Sequence, residues 1–134
     1  MIRKYALEQG AMLLRRMTFE MSRAAKLRDP DSIHDLRVAI RRFQQCLRAF
    51  SQFFPRGESR RIRHRLRKIM KQAAEVRNRD VALEVLKEAG APSDGKLTVR
   101  LAHQRQKAKC DLSGALRKWR GRDASRKLRF GLGL

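Results

Sequence analysis

The sequence is poor in aromatic residues and in cysteine, and each shortage excludes a class of protein. One Trp and one Tyr occur among 134 residues, which argues against a protein that stacks nucleic-acid bases on exposed rings. The two cysteines, Cys46 and Cys110, are far apart and form no C-x-x-C pair, so neither a metal site nor a disulfide framework is predicted. We expect both thiols to be reduced and buried within helices.

Long apolar runs are also missing. No stretch approaches the roughly 18 consecutive apolar residues that a membrane span needs. The first residues, MIRKYALEQGAMLLRRM, lack the apolar centre of a secretory signal. We therefore expect a cytoplasmic protein with no membrane partner, and the basic, amphipathic N-terminal segment leaves a targeting peptide as the alternative.

Acidic residues are few, since 13 Asp and Glu stand against 34 Lys and Arg and give a formal net charge of +21. They are scattered along the chain, and because a phosphatase needs clustered carboxylates to hold its metal, we predict no enzyme activity and no cofactor. Such a basic chain favours a polyanionic partner. With 42% hydrophobic residues, it has enough apolar material for one folded domain.

The Pro and Gly residues that interrupt the chain's pattern fall in three clusters, at 29–32, 55–57 and 90–95. Between them apolar residues recur every three or four positions without alternating, so the sequence predicts an all-α fold, an antiparallel four-helix bundle-like unit. Ser32, three residues before Asp35, is the expected cap of the second helix, with Asp31 as an alternative. We expect a domain over residues 1–122 and a basic, flexible tail over 123–134. The expected helices cover residues 3–28, 32 up to the second cluster, 58–89 and 96–120.

Basic residues line one side of the second predicted helix. At about 100° per residue, His34, Arg37, Arg41 and Arg48 share a sector about 80° wide, together with Gln45. We call these four the first basic row. The apolar residues of this helix occupy a second sector about 110° away, so the row runs beside the core. Arg42 lies off both sectors.

The third predicted helix repeats this arrangement. Arg60, Arg63, Arg67 and Lys71, the second basic row, share a sector about 80° wide beside the apolar face. Like charges four residues apart destabilise a helix by a few tenths of a kcal/mol per pair, a cost that a bound polyanion would reverse. A solvated surface is the alternative. The shared placement of the two rows and the predominance of arginine, whose forked donors suit phosphate oxygens, favour anion binding.

Two further features bear on the site. His34 heads the first basic row, where it is predicted to donate a ring N–H to an anion and to bind better below about pH 6.5; a capping or packing role is the alternative. The sequence shows no catalytic partners around it. Arg77 and Asp80, three residues apart, predict either an ion pair within the helix or an Asp80 that orients an arginine of the anion site.

The stretches IHDLRVAIRRFQQCLRAF and RKIMKQAAEVRNRDVALEVL, in this order, resemble the CHAD family, the conserved histidine α-helical domain. The resemblance implies an all-helical protein that binds inorganic polyphosphate in a basic groove without catalysis, in the cytoplasm or at polyphosphate granules. The residues that match the family's H-x-L-R-V-x-x-R-R signature and its downstream element are His34, Arg37, Arg41, Arg42, Arg77 and Asp80. The remaining predicted binding residues rest on the geometry of the rows and are Arg48, Arg63, Arg67 and Lys71.

The chain departs from the family pattern in two ways. Ala74, Asn78 and Arg79 stand where the downstream element usually has glycine, aspartate and a hydrophobic residue, which adds positive charge. The chain also has helices for only one of the family's two similar halves, so we expect a homodimer that completes the groove. The rival hypothesis is a small nucleoid or RNA-associated protein that uses the same surface on a nucleic-acid backbone.

Overall fold

The computed structural model describes residues 1–26, 30–119 and 122–134, which contain helices and turns and no strand. The predicted all-helical, bundle-like fold is confirmed. The expected end of the first helix at Arg28 lies outside these ranges. The helices are α1 (Ile2–Ala25), α2 (Pro30–Ala49), α3 (Arg56–Glu88), α4 (Lys96–Arg117) and α5 (Arg122–Leu132), with a 3-10 turn at Ser51–Phe53.

Prolines mark the starts of two helices. Pro30 is the first residue of α2, and Pro55 precedes α3 with an extended backbone at ψ 123°. Proline suits this position because its φ is preset and its missing N–H would have no helical partner there. The prediction that Ser32 caps α2 is wrong, because the helix already begins at Pro30 and Ser32 lies inside it, only 1% exposed.

The first four helices form a ring around one core. α1 packs against α2 and α4, and α3 packs against α4 and α2. Complete burial of a large apolar side chain stabilises a fold by about 1.5 to 3 kcal/mol. The largest fully buried side chains are Phe43, Leu14, Met17, Met21, Leu36, Ile40, Leu47, Ile62, Leu66, Ile69, Leu112 and Leu116.

The end of the chain differs from the expected flexible tail. Residues 122–132 form α5, which packs against α3, and Leu128 and Leu132 are buried in the core cluster. Gly131 permits this close packing, because a Cβ there would lie 3.0 Å from Oε2 of Glu58. Gly133, at φ +73°, then ends the helix in a left-handed conformation that glycine adopts without strain.

α3 and α4 continue beyond the core as a two-helix hairpin. Buried residues end at Val76 on α3 and begin again at Leu112 on α4. Every residue from 77 to 111 is at least partly exposed. We call residues 77–111 the arm.

The two thiols differ in exposure. Cys46 is buried between α1 and α2, which confirms the expectation, whereas Cys110 on α4 is exposed, so its predicted burial is wrong. Burial raises the pKa of the Cys46 thiol by desolvation and so lowers the fraction of reactive thiolate.

We expect an aromatic disulfide reagent at pH 8 to modify one thiol per folded chain and two after denaturation. Cys110→Ser should remove the fast reaction, and two fast thiols in the folded wild type would contradict the buried position of Cys46.

Candidate anion-binding site

The first basic row begins on the flank of α2 that lies away from α1 and extends onto the outer surface of the helix. The opposite flank of α2 faces α1, because Asp35 accepts a hydrogen bond from Arg23 of α1 at 2.7 Å and Cys46 lines a cavity with Tyr5. Arg37 lies about a quarter turn from the middle of the buried face, on the flank away from α1. It is half-buried, whereas the other members of the row, His34, Arg41 and Arg48, are exposed.

The second basic row begins on the flank of α3 that lies away from α4 and extends onto the outer surface of the helix. The opposite flank of α3 faces α4, where Gln72, Glu75 and Arg79 line a cavity with residues of α4. Arg63 lies about a quarter turn from the middle of the buried face, on the flank away from α4, and is half-buried. The other members, Arg60, Arg67 and Lys71, are exposed. Both rows therefore border the same seam between α2 and α3.

The two half-buried arginines at this seam share an unusual feature. The Nε atoms of Arg37 and Arg63 are both buried and have no hydrogen-bond partner among the described residues. A guanidinium is always charged and has donors but no acceptors, so an unpartnered buried N–H costs free energy until an oxygen reaches it. Each row thus contributes one arginine with an unused donor at the seam.

Carboxylates neutralise other parts of the helices and leave the rows unpaired. Only Glu58 is acidic between residues 36 and 74. It pairs with Arg61 at 2.8 Å on the α4 side of α3. Within the described parts of the chain no member of either row takes part in an ion pair. The ion pairs between described residues of α1 to α4 include Lys4–Glu8, Arg16–Glu20, Arg23–Glu20, Arg23–Asp35, Arg61–Glu58, Arg79–Glu75 and Arg105–Asp80.

Three other arginines singled out in the sequence lie apart from the rows. Arg42 lines the cavity between α1 and α2. Arg79 turns toward α4 and pairs with Glu75 at 2.6 Å, so its charge does not add to the rows. Arg77 is exposed at the start of the arm. Each row has one half-buried arginine at the seam, whereas the signature residue Arg42 lies on the side of α2 that faces α1.

Asp80 of α3 forms an ion pair with Arg105 of α4 and not with Arg77 of its own helix. Its Oδ1 accepts a hydrogen bond from Nε of Arg105 on α4, and no ion pair with Arg77 is found in the described ranges. Both side chains are about two-thirds or more buried, at 22% and 32% exposure. Asp80 therefore ties the two helices of the arm together.

We expect Asp80→Ala to lower the free energy of unfolding by about 1 to 2 kcal/mol, because it leaves the Arg105 guanidinium, about two-thirds buried, without its ion pair. Urea denaturation of Asp80→Ala, Arg105→Ala and the double variant gives the coupling energy. The double variant should lose less than the sum of the single losses. Strictly additive losses would show that the pair does not stabilise the arm.

One basic site was missed by the sequence reasoning. A cavity of about 420 Å³ lies among α3, α4 and α5, lined by Arg61, Arg65, Lys118, Trp119, Ala124, Lys127 and Leu128. The four-residue spacing of Arg61 and Arg65 is visible in the sequence, but α5, which closes the cavity, was expected to be a flexible tail.

The described residues contain no group of three or more His, Cys, Asp and Glu side chains placed to hold a metal ion. No helix in the same ranges is long and apolar enough to cross a membrane.

The family model of the CHAD domain matches residues 12–130. The chain belongs to the CHAD family. CHAD domains are in general associated with polyphosphate. No curated protein and no solved structure matches the chain with significance.

The CHAD match extends over all five helices, from within α1 to within α5. It includes both basic rows and the seam between them. The resemblance to CHAD, inferred from two short stretches of sequence, is confirmed, and α5 falls within the matched region.

Proposed function

We propose that this CHAD protein binds inorganic polyphosphate along the seam between α2 and α3, without hydrolysing it. The observation that supports the proposal is that two basic rows lie on adjacent helices, each with a half-buried arginine at the seam, and that no carboxylate among the described residues is paired to either row. From His34 to Arg48 the first row extends about 20 Å along α2. A protein that binds polyphosphate in this way would collect at polyphosphate granules.

The members of the rows have different parts in this binding. The Nε donors of Arg37 and Arg63 are buried and without a partner among the described residues, and a side-chain rotation that brings each guanidinium to a phosphate oxygen would give it a charge-assisted hydrogen bond. The exposed members supply positive charge on both sides of the polymer. The short connection between α2 and α3 favours an antiparallel pair, so we expect His34 at the end of the seam far from that connection, near Lys71.

Isothermal titration calorimetry with long-chain polyphosphate tests the proposal. We expect saturable binding whose affinity falls by about 10³-fold between 50 and 200 mM salt, because each neutralised phosphate releases a condensed cation and the two rows hold seven permanent cations. Absence of saturable binding at near-physiological salt would refute the proposal. Binding that does not change with salt would show that the rows are not the contact surface.

Nucleic-acid binding is the second candidate function, and the outward position of the exposed row members supports it. His34, Arg41, Arg60 and Lys71 point away from the core, where a duplex backbone could reach them. DNA or RNA that displaces polyphosphate at equal phosphate concentration would favour this function. Release of phosphate from polyphosphate with added magnesium or manganese would instead show that the protein is an enzyme.

We also propose that a second copy of the chain completes the groove around the polymer. Two copies that bring their unpaired basic rows face to face repel each other, and a polyanion between them removes that repulsion. Light scattering should therefore give the mass of a monomer without polyphosphate and of a dimer with a short polyphosphate at saturation. A monomer under both conditions would refute the homodimer.

A further inference from the structure

We propose that the cavity among α3, α4 and α5 is a second anion site, which binds a triphosphate group. The cavity is separate from the seam between α2 and α3. Arg61 and Arg65 lie on the flank of α3 that faces α4, on the other side of the helix from the second basic row. This inference goes beyond the proposed binding of polyphosphate at the seam and does not depend on it.

The lining of the cavity is strongly positive. Among the described residues that border it, four are cationic and none carries a carboxylate; the four are Arg61, Arg65, Lys118 and Lys127. Glu58 pairs with Arg61 at 2.8 Å from outside the lining. The other three cations have no ion pair within the described ranges. Within the described part of the chain, three positive charges without an ion pair therefore border a space of about 420 Å³.

Trp119 determines what kind of anion suits this space. The Cζ atom of Arg65 lies 4.2 Å from the centre of the Trp119 ring, and the ring is only 5% exposed. The stacked indole holds the guanidinium in place, as cation–π pairs do, and has no free face left for a base. Recognition therefore depends on charge and hydrogen bonds to oxygen, which favours phosphate groups over nucleobases.

Size and charge favour a short phosphate chain. A phosphate group carries about 1.5 to 2 negative charges when terminal, so a triphosphate matches three or four cations in number. A triphosphate could come from inorganic tripolyphosphate or from a nucleotide. Because the base has no aromatic face to stack on, the structure predicts similar affinities for tripolyphosphate and for ATP.

The chain carries its own reporter for this site, because Trp119 is its one tryptophan. The experiment uses the full chain with Arg41→Glu and Arg67→Glu, which disables the seam, and titrates it with tripolyphosphate and then with ATP. We expect a saturable change in tryptophan fluorescence and one site per chain by calorimetry. Adding Lys118→Glu and Lys127→Glu, both at exposed positions, should weaken binding at least tenfold.

A matched variant separates this site from general charge. Arg3→Glu with Arg15→Glu, in the same background, changes the net charge equally at exposed positions on α1 and should keep the affinity. Equal weakening by both pairs, or no calorimetric binding of tripolyphosphate before the lysines are changed, would overturn the proposal. ATP that binds at least tenfold more tightly than tripolyphosphate would show that the base is recognised and would also overturn it.

Lys127→Gln provides a milder variant whose folding is checked by circular dichroism. If the wild type does not bind long-chain polyphosphate but the cavity still binds tripolyphosphate, only the proposal for the seam is refuted.

Discussion

Replacing Arg41 and Arg67 with glutamate is expected to reduce polyphosphate affinity at least 100-fold while the helical circular dichroism spectrum stays unchanged. The two residues belong to different rows, and both are exposed and without an ion pair in the described parts of the chain. Each charge-assisted contact with a phosphate is worth about 1.5 to 3 kcal/mol. Loss of two such contacts amounts to at least about 3 kcal/mol, which corresponds to about 100-fold in affinity. Repulsion by the new carboxylates adds to this loss.

The matched control for this variant is Arg3→Glu with Arg15→Glu. It makes the same change in net charge on α1, away from the seam between α2 and α3. We expect the control to lower affinity less than tenfold, mainly through the long-range field. If both pairs weaken binding equally, net charge alone governs binding, and the rows form no specific track.

The second large effect is expected in the core, at the end of the chain. Leu132→Ala should lower the free energy of unfolding by about 2 to 5 kcal/mol, because Leu132 is completely buried and its truncation leaves a cavity. This is a large share of the roughly 5 to 15 kcal/mol that stabilises a domain. Urea denaturation measures the effect as a lower midpoint with little change in slope.

Phe130 is the matched control on the same helix. It is 89% exposed, so Phe130→Ala should change stability by no more than about 0.5 kcal/mol. Similar effects of Phe130→Ala and Leu132→Ala would mean that α5 does not dock as described. A difference of several kcal/mol would establish that the last helix is part of the bundle.

The four main helices and both basic rows could be predicted because local sequence determines them. The spacing of Arg37, Arg41 and Arg48 gives the row directly once the helix is assumed. The seam itself could not be predicted, because sequence periodicity does not say which helix lies on which flank. That placement became clear from contacts such as the ion pair between Arg23 and Asp35.

The sequence predictions that the structure contradicts failed for separate physical reasons. Ser32 and Asp35 have the spacing of a cap, but Pro30 starts the helix earlier because proline is favoured at a first helical position. The apolar pair Leu128 and Leu132 has helical spacing, yet a short helix with glycines near its end is unstable alone and forms because α3 buries those leucines. The partner of Asp80 is 25 residues away in sequence, so only the tertiary structure reveals it.

The arm gives the molecule two regions with different resistance to opening. Hydrogen bonds in α1, α2 and the first part of α3 break only when the core cluster is disrupted, so their amide hydrogens should exchange slowly with solvent. No residue from 77 to 111 is fully buried, and the pair Asp80–Arg105 joins the arm's helices to each other and not to the core, so the amides of the arm should exchange through local opening while the rest of the bundle stays folded. Both basic rows lie on the slowly exchanging body, so the donors at the seam keep their positions while the arm opens and closes.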